Sequence, residues 1–339
     1  MKALSLGHLK SLVVGSLALE ERVPDGFSPI RLDLADQAFI HEDLLYSASR
    51  PSGVRVRYRT DAVSLSLELT VEPGWGEENN IVDIFIDEKL HTSFNCKGNE
   101  SDPVRYALAV NELAAGNKIV DIYFPATAKL ILHTLSLNEG AVAVTAPPRP
   151  RWLTHGSSIT NCRAAASGGF TWPAIVAREK NWCLLNLGFG GQCKMEQVVA
   201  RQIARQPADR ISLCLGINTT NGEYSKRVWA STAEGFIMTV REGHPETPLL
   251  IISPILSPPR EKVEDEGELM MSLTTMREAL KAAVEKFQAA GDSNIYYLDG
   301  LKIIGPGDED QMPDELHPDA DGIKLMGARF LEHAPAAWG

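Results

Sequence analysis

Four short stretches in the second half of the chain carry residue types that could together break or transfer an ester bond. His155-Gly156-Ser157-Ser158-Ile159-Thr160 sets serine hydroxyls beside a glycine that permits a tight turn. Asn186 to Gly191 is rich in glycines whose backbone amides can come close to a ligand, and Gly216-Ile217-Asn218-Thr219 adds a side-chain amide. Asp314-Glu315-Leu316-His317-Pro318 separates a carboxylate and an imidazole by three residues. A serine hydroxyl is a poor nucleophile at neutral pH unless a base takes its proton during attack and an acid orients that base. The oxygen of the attacked carbonyl then needs preorganised N–H donors. Each stretch also has an ordinary reading: a turn serine, a glycine loop, a loop-stabilising amide, a surface or helix-capping Asp-His pair. Their joint placement is what gives them weight.

That placement comes from the elements around them. Beyond residue 150 apolar runs alternate with helix-period segments, the pattern of parallel strands buried on both faces and joined by crossover helices. Strands are expected at Trp152–His155, Trp182–Leu187, Ile211–Leu215, Leu249–Ser253 and Ile295–Leu298. Ala233, Phe236, Ile237 and Val240 keep helical spacing, as do Leu273, Met276, Leu280, Val284 and Phe287. In an open parallel sheet ligands bind beyond the carboxyl ends of the strands, which is where the four stretches are expected to fall.

The first half reads as β-structure. Val54, Val56 and Tyr58 alternate with Arg55, Arg57 and Arg59, and Leu65, Leu67, Leu69 and Val71 alternate with polar residues, so both segments are expected to be strands with one wet face. Further short strands at 82–86, 118–124 and 129–137 favour a β-sandwich. The start, Met1 to Leu19, imitates a secretion signal weakly, because Gly15 and Ser16 interrupt its apolar run and Glu20, Glu21 and Arg22 follow, so an opening β-strand is expected. The prolines of Thr145 to Pro150 mark the boundary between a sandwich over 1–146 and an α/β unit over 147–339.

Composition narrows the field. With 339 residues, 44% apolar and 23% charged, the chain has globular proportions. A net charge of -11 opposes binding to phosphate backbones, so nucleic acid is not an expected partner. No run approaches a membrane span, and the cytoplasm is the expected location. Cys96, Cys162, Cys183, Cys193 and Cys214 are odd in number and lack zinc or redox spacing, and the eight histidines are scattered, so no metal or cofactor is expected. The acidic stretch Glu261 to Glu268 reads as a solvated loop, or as a lid over the pocket.

Taken together and in order, Gly156-Ser157-Ser158-Ile159-Thr160, Asn186 to Gly191, Gly216-Ile217-Asn218 and Asp314 to His317 resemble the blocks of the SGNH (GDSL-type) esterases and acyltransferases, over about residues 150 to 333. The resemblance implies a flavodoxin-like three-layer α/β/α domain with a five-stranded parallel sheet. It also implies Ser158 as nucleophile, the N–H groups of Ser158 and Gly191 with the Asn218 amide as oxyanion hole, and Asp314 with His317 completing a triad. Ser157 stands where the family usually has Asp. Gly26 to Leu32, Ser52 to Arg55 and Tyr58 to Ala62 resemble the N-terminal, jelly-roll-like sandwich of one branch, which includes the salicylyl acyltransferase of tetracycline biosynthesis. The expected function is a serine esterase acting on small carboxylic esters, such as acetyl esters on carbohydrate, through an acyl-enzyme. An acyltransferase with the same triad and a non-catalytic glycan-binding protein are the alternatives. The glycine segment lacks the following Lys-Ser/Thr of a phosphate loop, which weighs against a nucleotide enzyme.

Overall fold

The computed structural model describes the whole chain except residues 23, 25, 73–79, 98–101, 221, 223 and 263–270. Its first half is a sandwich of two six-stranded antiparallel sheets. One runs Ala18–Arg22, Gly26–Ile30, Leu130–Leu137, Leu65–Val71, Val104–Val110, with Lys2–Ala3 added to the third of these. The other runs Ala143–Thr145, Arg55–Thr60, Lys118–Tyr123, Ile81–Ile86, Lys89–Asn95, with Val13–Val14 added to the second. Leu65, Leu67, Leu69 and Val71 point inward against Val56, Tyr58, Ile84, Val120 and Ile122 of the facing sheet, as side-chain alternation requires. Asp87 and Glu88 connect two of the strands with φ of 47° and 66°, the left-handed pair that a two-residue hairpin turn demands.

Two expectations change here. The opening segment is not a single strand: a helix over Leu6–Ser11, capped by Ser5, separates the two-residue strands Lys2–Ala3 and Val13–Val14, and Gly15 turns the chain at φ +90°. The Arg55–Thr60 strand also lacks the expected wet face, since Arg55 and Arg57 are only 1% and 6% exposed while Arg59 is exposed. The α/β unit covers that side of the sheet. Asp121, on the neighbouring strand, pairs with both arginines, at 3.1 Å from Arg55 Nε. Asp83, fully buried on the same sheet, accepts from Gly169 N at 2.9 Å and from the Ser167 hydroxyl. Alternation foretold which side each residue takes; it carried no information about what lies over that side.

The second half has a five-stranded parallel sheet in the order Cys183–Gly188, Arg151–Gly156, Arg210–Cys214, Leu249–Ile252, Ile295–Leu298, the flavodoxin-like order. Alternate side chains go to opposite faces. Leu153, Leu187, Leu213 and Ile251 pack with the helices Gln197–Arg205, Lys226–Gly243 and Leu273–Ala289. Trp152, Leu184, Leu250 and Ile252 pack with Trp172–Glu179 and Ala320–His333. Both faces are therefore covered, which is why the strands read as apolar runs. The two halves share apolar clusters: Ile30, Leu32, Leu44 and Ala48 join the first, and Phe85 and Tyr123 the second. Of the acidic stretch, 263–268 lies outside the described residues, and Glu261 is not a solvated charge, because Arg277 grips both its carboxylate oxygens at 2.6 and 2.7 Å. No described helix is long and apolar enough to cross a membrane.

Candidate active site

The strand Arg151–Gly156 ends at the sheet's carboxyl edge and turns at once into a one-turn helix, Ser158–Asn161. The turn leaves no room for a side chain at Gly156, where a Cβ would strike the Thr160 hydroxyl and approach Cys214 Cβ to 3.0 Å. Ser157, in the place of the family's usual Asp, caps the helix by accepting from Ile159 N at 3.2 Å. Ser158 is thereby presented at the edge, half-buried, with its Oγ 2.8 Å from His317 Nε2.

His317 and Asp314 lie on the loop before the last helix. His317 Nδ1 is 2.7 Å from Asp314 Oδ2, while Asp314 Oδ1 accepts from the backbone N–H of Leu316 and of His317. Partial burial pushes the Asp314 carboxyl upward, and the hydrogen bonds from His317 outweigh it, so the net shift is below the ordinary carboxylate range. Asp314 does not cap the following helix, which begins at Ala320 and is capped by Asp319 through bonds to Asp321 N and Gly322 N. Ser257, after the fourth strand, holds the loop by donating to Glu315 O at 2.7 Å.

Three donors remain around Ser158. Asn218 Oδ1 accepts from Cys193 N at 3.0 Å, which assigns the amide orientation and leaves Nδ2 as a donor. The N–H groups of Ser158 and Gly191 make no hydrogen bond to another described residue. Gly191 takes φ +72°, a conformation that favours glycine. Ser158, Gly191, Asn218 and His317 line one pocket of about 480 Å³, and its far wall comes from the first half of the chain: Asp43, Tyr46, Ser47, Arg50 and Thr127.

Sequence reading missed how that wall is fixed. Arg31 is completely buried and makes five hydrogen bonds, to the carbonyls of Arg50, Asn186, Gly188 and Ser47 and to Asn161 Oδ1. It joins the sandwich to the loops carrying Ser158 and Gly191. Ser52 adds a second tie, donating to Asn161 O at 2.8 Å and accepting from Asn186 Nδ2 at 3.0 Å. Both residues sit in segments whose resemblance to one family branch was visible, but no spacing rule predicted a partner more than a hundred residues away.

His155 is a satisfied interior residue. Its Nδ1 meets Leu187 O at 2.7 Å, its Nε2 meets Cys193 Sγ at 3.5 Å, and its ring stacks on Phe236. Burial pushes its pKa down from 6.5 to about 4; the Leu187 hydrogen bond opposes this and the charge on Arg31 adds to it. The folded state thus holds His155 neutral, whereas the unfolded chain takes up the proton below about 6.5. Stability is expected to be complete above pH 6.5 and to fall by up to about 3 kcal/mol from this group as pH drops toward 4. Urea denaturation across that range, for wild type and His155→Gln, measures it; equal pH slopes in the two proteins would contradict it. Burial also pushes the thiols of Cys162 and Cys193 well up, the opposite of what a nucleophilic cysteine needs. Among the described residues no group of three or more metal-ligating side chains occurs.

Residues 151–330 match the GDSL-like Lipase/Acylhydrolase family, and residues 13–133 match the SsfX3 N-terminal domain. The fold is similar to that of the salicylyl-acyltransferase SsfX3 from a tetracycline biosynthetic pathway, at 27% identity and a TM-score of 0.86, over 95% of this chain and 93% of that one. A candidate GDSL-like lipase from Bacteroides ovatus shares 20% identity with a TM-score of 0.77, covering 97% and 95%. A family two carbohydrate esterase from Clostridium thermocellum shares 14% with a TM-score of 0.67, covering 94% and 97%. At those lower identities the likeness is one of fold. No curated protein matches the sequence.

Proposed function

The chain belongs to the GDSL-like lipase/acylhydrolase family, and on that footing we propose that it is a serine acyltransferase that passes a small acyl group from an ester to an acceptor hydroxyl. The observation that carries the serine mechanism is the continuous hydrogen-bonded line Asp314–His317–Ser158 at the rim of a pocket. In the proposed reaction His317 Nε2 takes the Ser158 proton as Oγ attacks the ester carbonyl, and Asp314 stabilises the imidazolium through Nδ1–H. The developing oxyanion is received by Ser158 N–H, Gly191 N–H and Asn218 Nδ2–H, each donor being worth roughly 10² to 10³ in rate. His317 returns the proton to the departing alcohol, leaving the acyl group on Ser158. An acceptor hydroxyl then gives its proton to the same nitrogen as its oxygen attacks the acyl carbonyl, and His317 passes that proton to Ser158 Oγ as the acyl–serine bond breaks.

Transfer is placed ahead of the hydrolysis expected from sequence because the likeness to the salicylyl-acyltransferase, over both halves of the chain, reaches 27% identity, against 20% and 14% for the lipase and the carbohydrate esterase. Hydrolysis remains the second reading, favoured by a specific observation: Asp314 is 55% exposed, so water reaches the triad. The two fates share every residue and differ in what deacylates the enzyme. The test follows p-nitrophenyl acetate turnover by measuring p-nitrophenol, free acetate and acetylated acceptor together, with phenol or methyl glucoside as added acceptor. Transfer predicts that acetylated acceptor grows at the expense of acetate. Acetate equal to p-nitrophenol at every acceptor concentration would make the protein a hydrolase.

A further inference from the structure

Thr127 stands in the wall of the Ser158 pocket with a hydroxyl that no described residue engages. The residue as a whole is only 4% exposed. Its Oγ1 is nevertheless not sealed in, unlike the unpartnered Ser47 hydroxyl of the same wall, so the little surface Thr127 keeps includes a hydroxyl open to the pocket. Its place is fixed. Phe124 N donates to Val54 O at 3.4 Å, Glu72 N to Lys129 O at 2.9 Å and Asn161 Nδ2 to Ala126 O at 3.1 Å, so the segment 124–129 is held at both ends and in the middle. Asn161 closes the one-turn helix that Ser158 begins, which ties the carbonyl next to Thr127 to the element carrying the candidate nucleophile.

A threonine hydroxyl both donates and accepts. A substrate that fills the pocket strips solvent from it, and a buried hydroxyl left without a partner is costly. Alkyl or aryl surface laid against Thr127 returns nothing for that loss, whereas a hydroxyl on the ligand restores the hydrogen bond. The lining carries two more neutral groups that no described residue engages, the Tyr46 hydroxyl and the Gln192 amide. The charged side chains outside the triad are placed differently. Asp43 and Arg163 are exposed, where solvent screens them, and Arg50 has its Nε and Nη2 sealed within the protein. The buried, neutral hydroxyl of Thr127 is therefore the group on this wall best able to tell one ester from another.

We propose that the ester handled at Ser158 carries a free hydroxyl besides its reacting group, and that Thr127 Oγ1 hydrogen-bonds it. The inference rests on the assignment of this pocket as the ester site. Thr127 is then a specificity residue supplied by the sandwich half: it selects a hydroxylated ester over an alkyl one of the same size and takes no part in making or breaking bonds.

The test compares esters matched in size. Values of kcat/KM for ester cleavage are measured for 2-hydroxyethyl acetate against propyl acetate, 3-hydroxypropyl acetate against butyl acetate, and ethyl 3-hydroxypropanoate against ethyl butanoate. The first two pairs place the hydroxyl on the alcohol half at two reaches, and the third places it on the acyl half. Each pair is measured in wild type, Thr127→Val, Thr127→Ala and Thr127→Ser, so the intrinsic reactivity of the esters cancels when the hydroxylated-to-alkyl ratio is compared between proteins. In at least one pair that ratio is expected to fall about three- to tenfold in Thr127→Val and Thr127→Ala, the scale of one neutral hydrogen bond. Thr127→Ser, which keeps the hydroxyl, is expected to hold it within about twofold of wild type. A merely structural role for Thr127 lowers both members of a pair alike and leaves the ratio unmoved. Ratios unchanged in every pair, a fall in Thr127→Ser equal to that in Thr127→Val, or no cleavage of any of the six esters by wild type would overturn the proposal. Failure of the serine assignment shows separately, as wild-type p-nitrophenyl acetate turnover that Ser158→Ala leaves intact.

Discussion

Arg31→Met is expected to lower folding stability by about 3 kcal/mol or more, although Arg31 touches no carboxylate and takes no part in the proposed chemistry. The side chain is fully buried, and burial together with the charge on Arg50 lowers its pKa to about 9, which still leaves it a cation at neutral pH. Its stability comes from five acceptors: Asn186 O at 2.8 Å, Gly188 O at 2.6 Å, Ser47 O at 3.0 Å, Asn161 Oδ1 at 2.8 Å and Arg50 O. Its face also rests 5.0 Å from the centre of the Phe189 ring. Methionine fills much of the volume and satisfies none of those oxygens, and a buried acceptor left without a donor costs about 1 to 3 kcal/mol before relaxation. Release of the buried charge offsets part of that sum. Lysine, with three donors and no fork, cannot reach both Asn186–Gly188 and Ser47–Asn161 and is expected to recover little. Denaturation midpoints of wild type, Arg31→Met and Arg31→Lys measure the effect; midpoints within experimental error of one another would show that the two halves are held together by other contacts.

Much of this architecture was legible in the sequence. The five parallel strands were placed within a residue or two, because a strand buried on both faces must be apolar throughout, and the four chemistry-bearing stretches fell where such strands and their connections end. The resemblance added what spacing could not, the choice of Ser158 over Ser157 and the pairing of distant stretches. The structure then gives Ser157 a role of its own as helix cap. What escaped has physical reasons. Arg55 and Arg57 have the period of a half-wet strand, and only the α/β unit lying over them, with Asp121 beside them, makes them interior. Asp314 reads in sequence as a helix cap, and the start of the helix at Ala320 leaves it upstream, with Asp319 as the cap instead. Gly53 stands at φ +76° with a Cβ position 3.0 Å from Asn186 Cβ, so its motif is the trace of one half pressing on the other. Arg31 acts across the two halves, and no local rule reports contacts at that range.

Ser158→Ala is expected to have the largest effect on activity. In the proposed mechanism the Oγ of Ser158 is the atom that bonds to the acyl group, and no neighbouring group can replace it. Cys162 and Cys193 are buried with their thiols pushed strongly toward the protonated form. Ser157 directs its hydroxyl to Ile159 N. Loss of a serine nucleophile costs about 10³ to 10⁶ in kcat, the remainder coming from the oxyanion donors and binding. The fold should not feel the change, since the hydrogen bond of Ser158 Oγ goes to His317 and the helix keeps its Ser157 cap. Asp314→Asn is expected to retain binding as well and to lose activity by a smaller factor, because His317 keeps its place while the imidazolium loses its stabilising charge.

The measurement that bears most directly on this account is turnover of p-nitrophenyl acetate and p-nitrophenyl butyrate by wild type beside Ser158→Ala, with both proteins shown to be folded by their melting curves. The account predicts clear wild-type release of p-nitrophenol and a loss of several powers of ten in the variant. Equal activity in the two folded proteins would contradict it.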